Sequence, residues 1–165
     1  VDFEPEHICA VLVEEGVLFV LVGGLAAVLH GSPLPTVDID LVPQRSEQNL
    51  ERLASALKRI GAKLRTEAGP IDVRLDAGFL RAMPLMLNLV TDYGDMDLTF
   101  EPSGPRIGYA AWNAEASDMT IGNSTVIRVA SLQAVIDSKR AADRPKDHRA
   151  LPYLESLQDQ INRGE

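Results

Sequence analysis

Cysteine is nearly absent: Cys9 is the single one in 165 residues. A lone thiol excludes an internal disulfide and fits a reducing compartment. In its apolar surroundings it reads as a small buried side chain. Basic residues are outnumbered, 16 Lys and Arg against 24 Asp and Glu, for a formal charge of −8. That excludes broad, charge-driven binding to nucleic acid while leaving room for a local basic groove. No run reaches the ~18 continuous apolar residues of a membrane span. The expectation is of no signal peptide, with the pattern already under way at Val1 as if an initiator segment preceded it. The expectation is a soluble, cytoplasmic chain with no membrane partner.

Several chemistries lack their residues as well. His148 has no Cys or His at zinc spacing, which disfavours zinc. Gly23-Gly24 has neither the third glycine of a dinucleotide fingerprint nor the lysine of a P-loop. No serine sits in a nucleophile elbow. There is no internal repeat and no low-complexity segment.

With 45% hydrophobic residues, the chain is long enough for one domain with a substantial core. The expectation is a single domain over 1–165, in which about 131–165 form a helical C-terminal extension. Residues 4–15 have helical spacing and stop at Gly16. Phe19–Val22 reads as a buried strand entering a turn at Gly23-Gly24, and Leu25–His30 as a short helix closed by Gly31. His30 reads as a packed or solvent-facing side chain. Ser32-Pro33-Leu34-Pro35 is irregular, because proline removes donors and fixes the backbone. Val37–Val42 is a second strand, with Val37, Ile39 and Leu41 on one face and Asp38 and Asp40 on the other. Ser46 caps a helix striped by Leu50, Leu53, Ala54, Leu57 and Ile60 and ended by Gly61. Residues 62–77 hold a strand of mixed pattern. Leu85–Thr91 and Met96–Phe100 form a hairpin, and Met119–Ile121 with Thr125–Val129 a second. Ser131 caps a further helix. Pro145 opens the last, which Pro152 is expected to kink or break.

The stretch with chemical content is Phe19 to Val42. Two carboxylates one residue apart on a strand share a face, their Cα atoms about 6–7 Å apart. At ~5 Å and an effective dielectric of ~20 they repel by about 3 kcal/mol, a cost a cation between them removes. Asp is depleted in strands, so Asp38 and Asp40 among Val, Ile and Leu read as metal ligands rather than a solvated face. Asp97 likewise interrupts an apolar strand. A third acid facing the first two completes a two-cation site and can accept a proton from an attacking hydroxyl. Asp95 lies nearer the turn, where it reads as solvating the chain, and the choice between Asp97 and Asp95 as the third carboxylate stays open. Gly23-Gly24 lets backbone N–H groups approach an anion, although a tight turn alone explains it. Ser32 could hold a phosphate oxygen, but a serine in such a turn ordinarily bonds its own backbone. Glu14, Glu15, Asp72, Asp76 and the tail acids read as solvated faces.

The composite Gly23-Gly24, six residues, Gly31-Ser32, three residues, Thr36-Val37-Asp38-Ile39-Asp40 resembles the signature of the DNA polymerase β-like nucleotidyltransferase superfamily. Within it the chain is most similar to the minimal bacterial nucleotidyltransferases of the AbiEii/AbiGii toxin type. Leu89 to Leu98 (LVTDYGDMDL) resembles the segment carrying the third carboxylate, and Ser138 to Leu154 (SKRAADRPKDHRALPYL) the C-terminal helix pair. The resemblance implies an α+β fold, a mixed β-sheet packed with helices, in which two Mg²⁺ ions and an NTP serve transfer of a nucleoside monophosphate to an acceptor hydroxyl. It implies Asp38, Asp40 and Asp97 as metal-binding and catalytic carboxylates. Gly24, with Gly23 beside it, and Ser32 would hold the triphosphate, with Lys139 a basic residue near it. Arg140, Arg144 and Lys146 each read as part of a solvated helix face, and Asp147 as a local cap or ion-pair partner. The acceptor class stays open between a tRNA 3′ end, a protein side chain and a small hydroxylated molecule. A toxin would also imply an antitoxin partner. Leu34 departs from the pattern, since many relatives carry a basic residue after the Ser-Pro. Two rivals stand beside this reading: a catalytically weak nucleotide- or partner-binding regulatory module of the same fold, and a metal-dependent phosphohydrolase.

Overall fold

The computed structural model describes residues 1–164. Its first strand, β1 (Phe19–Val22), is buried at every residue, as a continuous apolar run requires. β1 runs antiparallel to β2 (Asp38–Pro43) on one side and parallel to β8 (Thr125–Val129) on the other. β2 then pairs in parallel with β6 (Gly94–Thr99), which forms a hairpin with β5 (Met86–Thr91). Outward from β5 lie β3 (Lys63–Thr66) and β4 (Gly69–Ile71), and β7 (Ser117–Ile121) closes the opposite edge against β8. The result is one mixed sheet of eight strands in the order β4-β3-β5-β6-β2-β1-β8-β7.

Seven helices pack on it: α1 (Pro5–Glu14), α2 (Gly23–Leu29), α3 (Glu47–Arg59), α4 (Ala77–Ala82), α5 (Gly108–Ala114), α6 (Leu132–Ala142) and α7 (Pro145–Asn162). The Ser46 hydroxyl accepts from the Asn49 N–H at 3.3 Å, capping α3, whose Leu50, Leu53, Ala56 and Leu57 are buried. Asn49 is itself buried. Its amide bonds Leu18 N–H (2.7 Å), Leu18 C=O (2.9 Å) and Gln44 C=O (2.7 Å), riveting the start of α3 to the strands that carry the site. The Ser131 hydroxyl caps α6 in the same way, accepting from Ala134 N–H at 3.1 Å.

The structure corrects four expectations. Residues 62–77 hold two short strands, β3 and β4, joined by a turn in which Thr66 donates to Gly69 C=O; Pro70 is tolerated because β4 is an edge. Asp76 is no free surface acid, since its carboxylate accepts from Phe79 N–H at 2.9 Å and starts α4. Val37 lies outside β2 and is 76% exposed. Pro152 does not break α7. Its ring lies on the exposed side, where water can serve the carbonyl left without a donor, while Leu154 and the flanking Leu151 and Leu157 hold the helix from the other side. Neither α4 nor α5 had an expectation. Among the described residues no helix is long and apolar enough to cross a membrane.

Candidate active site

Parallel pairing of β2 with β6 sets Asp38 opposite Asp95 and Asp40 opposite Asp97. The side chains alternating with these acids, Ile39, Leu41, Met96 and Leu98, are fully buried. Register is therefore fixed by the core, because a one-residue slip would exchange carboxylates for aliphatic side chains. On the acid face, Asp38, Asp40 and Asp97 each offer an oxygen within 4.8 Å of the others. Asp95 stays out of that cluster. Its carboxylate lies 3.3 Å from Arg65 instead.

The cluster is only partly compensated by protein charge. Burial pushes the Asp40 carboxyl up to about 7, and the charges of Asp38 and Asp97 and a hydrogen bond to Asp97 add to the effect; Lys146 pulls the other way. Asp97 is also raised, chiefly by burial and further by Asp38, against the lowering pull of the Arg65 guanidinium. Three close carboxylates in this environment fit a bound divalent cation, which would remove the repulsion that holds Asp40 up. Oxygen-only donors suit Mg²⁺ rather than a softer metal.

The glycine pair has a reason that the sequence did not reveal. Gly23 has φ +69°, and a Cβ there would come within 2.2 Å of Asp40 Oδ2, so the turn leaving β1 gives this carboxylate its room. A Cβ on Gly24 would come within 3.1 Å of Thr36 Oγ1, which itself donates to Asp38 C=O at 3.2 Å. Ser32 is buried, and its hydroxyl accepts from Leu34 N–H at 3.3 Å, closing its own turn. His30 is a packed side chain whose Nε2 donates to Ala130 C=O at 2.8 Å.

The α6–α7 corner supplies basic groups. Asp147 is fully buried and accepts from Arg144 Nε at 2.8 Å and from Arg144 backbone N–H at 3.1 Å, with Lys139 Nζ 3.6 Å away. The charge of Lys146 is felt at Asp40, and that of Asp40 at Arg144. Arg144 and Lys146 are exposed, as a solvated helix face requires, while their charges still reach the acids. Arg65 went unnoticed in the sequence because β3 itself was poorly marked. Two cavities, of about 540 Å³ beside α3 and about 570 Å³ beside α1, share no residue with the acid cluster.

The mixed sheet, with its strand pair of acids beside a glycine turn, has the fold of solved nucleotidyltransferases. The chain is similar to lincosamide antibiotic adenylyltransferase LnuA in its lincomycin-bound form, at 21% identity and TM-score 0.62 over 94% of this chain and 98% of that one. It is similar to ANT(2″)-Ia in complex with adenylyl-2″-tobramycin, at 17% identity and TM-score 0.54 over 92% and 88%. A third likeness is to a putative nucleotidyltransferase from Thermotoga maritima, at 16% identity and TM-score 0.53 over 98% and 96%. No protein-family profile and no curated protein sequence matches the chain. At these identities the likeness concerns the fold.

Proposed function

We propose that this chain is a metal-dependent nucleotidyltransferase that moves a nucleoside monophosphate from an NTP to a hydroxyl of a small acceptor. The observation that carries the reading is the convergence of Asp38, Asp40 and Asp97 within 4.8 Å, with burial and the charges of the other two acids raising Asp40 in spite of Lys146. Asp38 and Asp40, with Asp97, would hold two Mg²⁺ ions. When bound, the ions supply charge neutralisation for the triphosphate and the leaving pyrophosphate. Asp97 accepts the proton of the acceptor hydroxyl as its oxygen bonds to the α-phosphorus. The bond from that phosphorus to the β-phosphate oxygen breaks, and pyrophosphate departs. Lys139 and the turn at Gly23, Gly24 and Ser32 hold the triphosphate in this scheme. The formal charge of −8 favours a small hydroxylated acceptor over tRNA. Two solved structures similar in fold are named for adenylyl transfer to antibiotics, which supports the same class.

The test is transfer of labelled nucleotide with Mg²⁺ from each of four NTPs to small hydroxylated molecules, total tRNA and lysate protein, with Asp38→Ala/Asp40→Ala as control. Label on a small acceptor, absent with the variant, is the expected result. Label on tRNA, with growth arrest relieved by a cognate antitoxin, would assign a toxin role instead. Release of free nucleotide or phosphate with no labelled acceptor would make it a hydrolase. Mg²⁺-dependent NTP binding without any reaction would make it a regulatory module.

A further inference from the structure

Asp97 is gripped from two strands away. Arg65 lies on β3, which is separated from β6 by the whole of β5. Two strand spacings are about 9–10 Å, close to the full reach of an arginine. The guanidinium nevertheless crosses β5. Its Nη2 donates to Asp97 Oδ1 at 2.7 Å, and its Nη1 donates to Leu89 C=O on β5 at 3.1 Å while lying 3.3 Å from Asp95 Oδ2. The backbone bond matters most, because it fixes the plane of the guanidinium independently of either acid. Asp95, set aside by the metal cluster, becomes the second brace of the same group.

We infer that Arg65 is the positioning residue of the third carboxylate: it commits Asp97 Oδ1 to the protein and leaves Asp97 a single oxygen for a divalent cation. The inference rests on the metal-site reading above. It also divides the labour among the acids. Asp38 and Asp40 have no basic group bonded to them among the described residues, so neither has an oxygen committed to a protein cation, although Asp40 shares a hydrogen bond with Asp97. Asp97 has one oxygen so committed, and the other is aimed by a planar fork that a lysine cannot reproduce. A purely charge-damping arginine makes the opposite forecast, because its removal would leave the acids a stronger cation trap.

The experiment is a calorimetric titration of Mn²⁺ into the intact protein, comparing wild type with Arg65→Met, Arg65→Lys and Arg65→Gln, each first checked for a wild-type-like melting transition. Loss of positioning should weaken Mn²⁺ binding by about tenfold or more in Arg65→Met, the scale typical of removing a group that orients a metal ligand. Arg65→Lys should recover only part of the loss. Arg65→Gln, with a planar donor but no charge, serves where the Met variant melts early. In the transfer assay kcat should fall while the KM for NTP stays within about threefold, since no contact to nucleotide is lost. Unchanged or tighter Mn²⁺ binding in all three variants overturns the inference and leaves the metal site standing. Wild-type protein that binds Mn²⁺ but transfers nothing would sink the transferase reading while the variants still decide the role of Arg65. Wild-type protein that binds no Mn²⁺ overturns both.

Discussion

Asp40 and Asp147 are both withdrawn from water, and the fold treats them in opposite ways. Asp147 is fully buried and fully answered, with Arg144 on both its oxygens and Lys139 alongside. Despite burial its carboxyl is held below the ordinary value by those partners. Asp40 meets Asp38 and Asp97 instead, and is pushed up to about 7. Compensation in this corner is thus complete at Asp147 and only partial at Asp40, where the charge of Lys146 does not offset burial and the other two acids. On the proposed reading, an acid left short of protein charge is kept for a cation arriving from solution. An answered one is structure.

The sharpest way to break the contrast is to neutralise each acid. Asp40→Asn should lower nucleotide transfer by about a thousandfold or more, some 4 kcal/mol of barrier, and remove Mn²⁺ binding seen by calorimetry. The same change should raise the melting temperature of the metal-free protein, because it removes a repelled charge. Asp147→Asn should instead destabilise the fold by about 2 kcal/mol, below the ~3–5 of a fully enclosed pair because the Arg144 side chain keeps half its surface in water. Denaturant unfolding measures this directly.

Gly23→Ala tests the room given to Asp40. With φ +69° and only 2.2 Å to Oδ2, alanine should cost about 1–2 kcal/mol of stability and displace the carboxylate. Calorimetry should show weakened Mn²⁺ binding, with Gly24→Ala milder because its nearest neighbour is a hydroxyl at 3.1 Å.

The smallest effect is on pH. Asp40 rises from 3.8 to about 7 on folding, so its contribution to stability is greatest below about 4 and is lost as pH rises through 7. Asp147 runs the other way, its contribution being present above 3.8 and lost in acid. Added Mg²⁺ should therefore raise the melting temperature more at pH 8 than at pH 5. Equal shifts at the two pH values would remove the electrostatic account of Asp40.

Much of the site was legible because its residues violate their surroundings. Asp38, Asp40 and Asp97 interrupt apolar strands, and only pairing between those strands was needed to bring them together. Strands with continuous apolar runs and helices with hydroxyl caps were legible for a similar reason, since local chemistry and global burial agree there. β3 and β4 are short and mostly exposed, so no apolar run marks them, and Arg65 went with them. Asp147 was read as a local cap or ion-pair partner, and it is both to Arg144; only its full burial, which depends on how α7 folds back on α6, left no local trace. Pro152 was over-weighted: a single lost hydrogen bond is affordable on the exposed side of a packed helix.

The parallel pairing of β2 and β6 carries a kinetic consequence. The two strands meet only after residues 44–93, with a hairpin and two helices among them, have been folded back as a closed loop. Closing such a loop costs entropy before any contact rewards it, so this seam is an expensive one to form during folding. The unfolded chain, with its acids dispersed, has no comparable place for a divalent cation. On the proposed reading, metal binding and closure of that seam would be one linked equilibrium, and ions held by these acids would also act as a clasp that slows the chain's reopening.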